Sequence, residues 1–330
     1  MQTRPLGGTG RSVSAIGLGT WQLGADWGQV SQIDALAVLG AATAHGVTLF
    51  DTADVYGDGR SESLIGEFLA AAPEHGITVA TKMGRRLPQD PENYNPDNFH
   101  AWAERSRRNL GVDTLDLVQL HCPPSSVIAA DDTWSALDDL VAEGVVAAYG
   151  VSVETCAQAL DALTRPNLTN IQIIFNPFRL KPLDEVLPAA QAAQVAVFAR
   201  VPLASGLLSG RYTEQTTFAS DDHRSYNRNG EAFDRGETFS GVDYAVGLAA
   251  ARRLAATVPD GVSLPAATLA WIASRPGVTT VIPGARNVRQ AQGNADAGAL
   301  LDGGFDLAAF DAAVHEVYDD LLKVAVHPLW

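Results

Sequence analysis

Four polar residues stand where short apolar runs of this chain end. Asp51 follows the run 48–50 and Tyr56 lies five residues further on; Lys82 follows 78–81, and His121 follows 115–120. Together these types make an acid–base device. A phenol, with an ordinary pKa of about 10, is a sluggish acid at neutral pH. An ammonium beside it stabilises the phenolate and lowers that pKa, and a carboxylate keeps the ammonium charged and oriented. A neutral imidazole can donate a hydrogen bond to a carbonyl oxygen and polarise it. The set suits protonation of an oxygen while its carbon receives a nucleophile or a hydride. A lone lysine reads as a solvated cation and a lone histidine as a core residue, so the argument rests on their sharing one place. The competing use of Lys82, as a Schiff-base nucleophile in an aldolase, needs a lowered amine pKa. Asp51 works against it.

The elements that must position these residues follow a repeating rhythm. Short runs rich in Val, Ile, Leu and Phe occur at 15–18, 48–50, 78–81, 115–120, 145–151, 171–175, 195–199 and 279–282. Most lack apolar/polar alternation, as expected of strands buried on both faces of a parallel sheet. Between them lie helical patterns. Ser31 caps one, Ser61 opens another with Glu62 at its positive end, and 96–110 forms a third, stopped by Gly111. Asp131 or Asp132 caps a helix through Trp134 that Gly144 stops. Further helices are expected at 154–163, 184–193, 243–256, 264–274, 287–297 and 306–322. The alternation fits a closed barrel and an open doubly wound sheet, and the count of eight favours the barrel. In a barrel, active sites sit where strands end, which would bring Asp51, Tyr56, Lys82 and His121 to one mouth.

Thr3 to Val13, with Gly7-Gly8-Thr9-Gly10 at its centre, reads as a β-hairpin. No linker or composition shift divides 1–330, so one domain is expected. The stretch 206–240 breaks the rhythm: it is polar, carries charges of both signs and has little periodicity. With Phe218, Tyr226, Phe233 and Phe239 as anchors, it reads as a functional lid. The net charge of −15 disfavours nucleic acid as a partner. No run of eighteen apolar residues or signal-peptide pattern is present, so neither a membrane nor secretion is expected. The two cysteines, Cys122 and Cys156, fit a reducing cytoplasm as small core residues. Nothing suggests a coiled coil, and a monomer is the default.

The segment Asp51-Thr52-Ala53-Asp54-Val55-Tyr56-Gly57-Asp58-Gly59-Arg60-Ser61-Glu62-Ser63-Leu64-Ile65-Gly66 resembles the first signature of the aldo-keto reductases. Gly19-Thr20-Trp21, Thr81-Lys82, Gln119-Leu120-His121 and Ile282-Pro283-Gly284-Ala285-Arg286 match further family segments in order, so the resemblance covers nearly the whole chain. It implies a (β/α)8 TIM barrel with the hairpin closing its bottom, extra helices at the C-terminal end, and no metal. It also implies hydride transfer from NADPH to an aldehyde or ketone. Tyr56 would be the general acid, tuned by Lys82 and Asp51, with His121 orienting the carbonyl.

A Rossmann fingerprint is absent, since Gly17-Leu18-Gly19 lacks the third glycine. The barrel alternative is a phosphate site beside a helix N-terminus after the last strands. Pro283, Gly284 and Arg286 supply it, and the resemblance makes Arg286 the grip on a 2′-phosphate, favouring NADPH over NADH. Gln290 and Asn294 resemble the adenine contacts, and Ser152 and Gln172 the carboxamide contacts. Gly19, Thr20, Trp21 and Asp51 would border the cofactor. Pro202, Leu203, Gly206, Leu208, Gly210 and Arg211 would lie along its pyrophosphate side, with the lid folding over it. Two departures stand out: Val153 follows Ser152 where the family usually has Asn, and Arg200 replaces an aromatic that stacks on the nicotinamide. A planar guanidinium can cover a ring or reach a phosphate, so Arg200 is also assigned to the cofactor. Trp21, Trp27, Val55, Tyr56, Met83, Pro123 and Pro124 make an apolar, aromatic substrate pocket, suited to hydrophobic carbonyl compounds. An NADPH-binding sensor or regulatory subunit with little turnover is the other role the resemblance allows.

Overall fold

Eight strands pair in parallel in the order in which they occur along the chain. After the hairpin strands β1 (Thr3–Pro5) and β2 (Ser12–Ser14) come β3 (Leu18–Gly19), β4 (Leu49–Asp51), β5 (Thr78–Met83) and β6 (Leu117–His121). These are followed by β7 (Tyr149–Ser152), β8 (Asn170–Ile174), β9 (Ala196–Arg200) and β10 (Thr280–Val281). Parallel bridges Ile16–Val281 and Gly19–Gly284 join the first barrel strand to the last, closing the ring. The expected barrel, rather than the open sheet, is therefore the fold. The computed structural model describes residues 1–24, 30–71, 76–303 and 306–330.

The register lines the functional positions along one rim. Lys82 pairs with Gln119, His121 with Ser152, and Ser152 with Gln172. Because strand side chains alternate, Lys82 turns into the barrel whereas Met83 turns outward and joins the hydrophobic core. At the opposite end the antiparallel hairpin inserts Leu6 and Val13 beneath the barrel. They pack there with Leu49, Ala80, Leu117, Ala148, Ala196, Phe198 and Ile282.

Several helix starts are as read. Ser31, Asn95, Asp243, Asn287 and Asp306 cap helices through their side chains. Two differ. The helix assigned to Ser61 begins at Arg60, and Ser61 is drawn inside by hydrogen bonds with Thr20 and Thr52. Ala130, not an aspartate, occupies the cap before Asp131–Ala142, leaving Asp131 and Asp132 to the helix's positive end. The last helix runs Leu307–Val317, then continues through a π-helical turn at Tyr318–Leu322 into Lys323–Val326.

The stretch 206–240 is more structured than its composition suggests. It contains a short helix, His223–Tyr226, capped by Asp222, a 3-10 turn at Arg235–Glu237 and a turn at Phe239–Gly241 in which all three residues have positive φ. Phe218 packs against Tyr212, Phe239 and Tyr244, with Arg224 over its ring at 4.5 Å. Tyr226 meets Phe233 edge-on.

Candidate active site

The loop after β4 is shaped by a local code. Gly57, Asp58 and Gly59 all have positive φ, so the chain reverses there in a conformation that favours glycine. A Cβ on Gly57 would lie 2.6 Å from the Gly24 carbonyl oxygen, and one on Gly24 2.6 Å from the Tyr56 backbone. The two loops therefore touch through their glycines, directly beside Tyr56. Arg60 reaches back to the carbonyls of Leu23 and Val30. Arg105 holds the Asp54 carbonyl at 3.0 Å and the Asp58 carbonyl at 2.7 Å.

Within this frame the four residues converge. The Lys82 ammonium donates to Asp51 Oδ1 at 2.6 Å, to the Thr52 carbonyl at 2.9 Å and to the Tyr56 hydroxyl at 3.5 Å. All three of its protons thus have acceptors. The Tyr56 ring stacks on Trp21 at 5.8 Å and meets His121 edge-on at 5.9 Å. Asp51 Oδ2 accepts from Gln172 at 2.7 Å and from Gln119 at 3.3 Å, and Asn170 donates to Gln119 Oε1 at 2.9 Å. A ladder of amides thus runs down the barrel from the ion pair.

The electrostatics follow from burial and these contacts. Burial would lower the Lys82 ammonium, but Asp51 and Tyr56 outweigh it and hold its pKa above the ordinary value. Burial raises the Tyr56 phenol, with Lys82 pulling the other way; in this state burial wins, so Tyr56 keeps its proton. Burial, then Arg85, Lys82 and Arg200, drives His121 well below its usual value and leaves the imidazole neutral. His121 Nδ1 is buried with no hydrogen-bond partner among the described residues, so Nε2 is the nitrogen that opens to the cavity.

The cavity over this rim measures about 1120 Å³. That is just above the usual range for small-molecule sites and leaves room for an extended ligand together with a small one. Its wall includes Gly19, Thr20, Trp21, Asp51, Val55, Tyr56, His121, Ser152 and Gln172. It also takes in Arg200, Pro202, Leu203, Gly206, Arg211, Pro283, Gly284, Arg286, Gln290 and Asn294. Other expected contacts lie elsewhere. Lys82 sits behind the wall, against Asp51 and Tyr56. Met83 faces the hydrophobic core instead of the cavity, because the residue before it faces inward. Leu208 is also buried in that core, and Gly210, Pro123 and Pro124 stand off the wall. Trp27 lies outside the described residues.

At the far end, Gln290 accepts from the Arg286 amide at 2.8 Å, and Asn294 donates to the Gly284 carbonyl at 3.1 Å. The helix that carries both thus braces the turn that carries Arg286. Gln172 spends its amide nitrogen on Asp51 and Gln119, while its oxygen takes no hydrogen bond from the described residues.

The expected apolar substrate pocket is corrected by its composition. Trp21, Val55, Leu87 and Phe233 give it an apolar side, but Arg85, Gln89, Glu154, Arg200 and Glu237 line it as well. Arg85 donates to the His121 carbonyl at 3.1 Å and to Glu154 at 3.3 Å, and its Nη1 has no partner among the described residues. Arg200 pairs with Glu237 and donates to the Val153 carbonyl at 2.9 Å. The two departures at 153 and 200 are therefore in contact with each other. Arg85, Glu154 and Glu237 escaped the sequence reading as site residues, and Gln119 entered it only within a matched segment. For Arg85 a signal existed, three residues past a strand-end lysine; for Glu237, deep in the long excursion, none did.

Comparison with known proteins agrees with the fold. The model of the aldo/keto reductase family matches residues 15–304. An uncharacterized oxidoreductase of Mycobacterium tuberculosis is 33% identical over 290 residues, covering 86% of this chain and 83% of that protein. The glycerol dehydrogenase AKR11B4 from Gluconobacter oxydans superposes with a TM-score of 0.76 at 31% identity, covering 98% of this chain and 96% of that one. An aldo-keto reductase from Klebsiella pneumoniae, solved in complex with NADPH, gives a TM-score of 0.67 at 26% identity over 94% and 95% of the two chains. On the family match and the oxidoreductase relative together, this chain belongs to the aldo/keto reductase family.

Proposed function

We propose that this protein reduces aldehydes or ketones to alcohols with NADPH, using Tyr56 as the general acid. The observation that carries the reading is the Asp51–Lys82–Tyr56 hydrogen-bonded chain with neutral His121 beside it. NADPH would supply the hydride. The braced Pro283–Arg286 turn, with Gln290 and Asn294, is suited to hold its adenosine end, and Ser152 and the open oxygen of Gln172 its carboxamide.

At the reacting centre, His121 Nε2 donates to the carbonyl oxygen and draws electron density from its carbon. The Tyr56 hydroxyl then gives its proton to the same oxygen. As the phenolate forms, Lys82 stabilises it, and Asp51 keeps Lys82 charged through the change. The open Nη1 of Arg85 and the neighbouring carboxylates favour carbonyl compounds that carry further oxygens over purely hydrocarbon ones, as hydroxylated aldehydes do. That the relative from Gluconobacter oxydans is a glycerol dehydrogenase supports this preference. Both cysteines are free and buried, in keeping with a reducing cytoplasm.

The test follows NADPH oxidation at the nicotinamide absorbance with 4-nitrobenzaldehyde, methylglyoxal and glyceraldehyde, and NADH in parallel. Wild type should turn over, and faster with NADPH. Tyr56→Phe should lose about 10²–10⁴-fold in kcat while still binding NADPH. Tight NADPH binding without turnover on any substrate would instead support a regulatory role, and no dinucleotide binding would end the proposal.

A further inference from the structure

Arg179 is a buried charge that the proposed chemistry leaves unused. It follows β8, where Asn176 and Arg179 form a short bridge. Its Nη2 donates to the Glu154 carbonyl at 3.3 Å, and its Nη1 is buried without a hydrogen-bond partner among the described residues. Among the described residues it forms no ion pair, and burial pulls its pKa down to about 10. What covers it is the ring of Trp330, 3.9 Å from the guanidinium carbon to the ring centroid. A desolvated guanidinium on an indole face is a favourable cation–π arrangement.

The same indole holds the cavity wall. Its Nε1 donates to Asp234 Oδ1 at 3.1 Å, and Asp234 Oδ1 also accepts the Gly236 amide at 2.7 Å. Arg235 lies over the ring at 5.5 Å. A Cβ on Gly241 would come within 2.3 Å of the indole, and one on Gly236 within 2.7 Å of Arg179 Nη1 and Asp234 Oδ1 and 3.2 Å of the indole, so both glycines are fitted to this cluster. Asp234 and Glu237 line the cavity; Glu237 pairs with Arg200, and its carbonyl accepts from Ser205 at 2.9 Å.

We propose that Trp330 is a positioning residue of the reductase site, its indole clamping the 234–241 turns against Arg179 so that Glu237 is held on Arg200. The inference rests on the reductase reading for its kinetic consequence, and on the packing alone for the clamp. Trp330 touches no reacting atom; it acts through Glu237. Loosening the turns lets Glu237 leave Arg200, and the substrate end of the cavity loses a fixed wall. The effect therefore falls on KM more than on kcat.

Backbone hydrogen exchange of the full chain separates the clamp from its consequence. Trp330→Ala should speed exchange across 234–241 at least about tenfold while the barrel strands keep wild-type rates. It should raise the glyceraldehyde KM about tenfold with kcat changed less than about threefold. Trp330→Phe, which keeps a ring over Arg179, should recover most of the KM. Combined with Glu237→Gln, Trp330→Ala should add less than about twofold to the larger single effect.

Unchanged exchange at 234–241 in Trp330→Ala overturns the clamp. Faster exchange with an unchanged KM, or losses that multiply with Glu237→Gln, overturns its link to the site. If Trp330→Ala exchanges throughout the barrel, Asp234→Asn decides in its place: faster exchange confined to 234–241 supports the clamp, and none overturns it. Absence of turnover in wild type would end the reductase reading, while the exchange data would still decide the clamp.

Discussion

Asp54 lies three residues beyond Asp51, fully buried, and among the described residues no side chain hydrogen-bonds its carboxylate. Burial, and then the nearby Glu62, push its pKa up to about 7 against the pull of Arg86 and Arg105. An unfolded aspartate loses its proton near pH 3.9. Between about pH 4 and 7 the folded chain therefore holds a proton that the unfolded chain has released. Stability from this group is greatest at the low end of that window, falls as pH rises through it, and is level above. The cost at neutral pH is on the order of 2–4 kcal/mol. Asp54→Asn removes the charge at nearly constant shape. We predict that its melting temperature equals that of wild type near pH 4 and exceeds it by a few degrees at pH 8. Thermal unfolding at four or five pH values checks this, and a difference independent of pH would refute the assignment.

At the scale of elements, the strands position the site through small residues as much as through functional ones. Gly150, within β7, faces Asn170 of β8: a Cβ there would lie 1.8 Å from Asn170 Oδ1 and 2.5 Å from its carbonyl oxygen. Asn170 is the lowest rung of the amide ladder that ends on Asp51. Gly150→Ala must displace it, and overpacking of this kind costs roughly 1–3 kcal/mol. We predict a lower melting temperature together with a lower kcat, since the displacement reaches the partner of Lys82. A variant that lost stability but kept full kcat would show that the ladder does not bear on the ion pair. Strand ends carry their own strain. Cys122 after β6 and Val201 after β9 both have positive φ, and for a β-branched residue this is a marked departure. Both border the Arg200 contacts, where the chain turns abruptly out of the sheet.

Across the whole molecule, the two ends of the barrel divide the labour. The hairpin end is apolar, with Leu6 wholly buried beneath the strands; the other end holds every group of the proposed chemistry. Leu6→Ala should cost about 2–4 kcal/mol through the cavity it leaves, yet keep kcat/KM within about twofold. Calorimetry beside the NADPH assay checks both, and a matching loss of activity would show that the ends are coupled. Charge is divided as well. The chain carries 38 acidic and 23 basic residues, but the cavity wall holds Arg85, Arg200, Arg211, Arg224 and Arg286 against Asp51, Glu154, Asp234 and Glu237. The wall therefore carries one positive charge in excess on an acidic protein, and Arg211 and Arg286 are in no ion pair among the described residues. No helix among the described residues is long and apolar enough to cross a membrane.

The eight apolar runs and the polar residues that end them were legible in the chain itself; the glycine turn after β4 stood there only as part of the matched signature. Buried parallel strands need continuous apolar runs, and a turn at positive φ needs glycine; both are local requirements that leave a local trace. This is why Asp51, Tyr56, Lys82 and His121 could be named together, and why the hairpin, the Ser31 cap and the Gly111 stop could be placed. Tertiary structure alone decided matters that depend on partners far away in the chain. Met83 turned to the core because the strand's pleat assigns it the face opposite Lys82. Arg200 found Glu237, thirty-seven residues on, and Trp330 found Arg179 and Asp234. The polar lining of the cavity came from Arg85, Glu154 and Glu237 on three separate loops. Loop side chains take their positions from long-range packing and charge pairing, and no period in the sequence records which loops will meet.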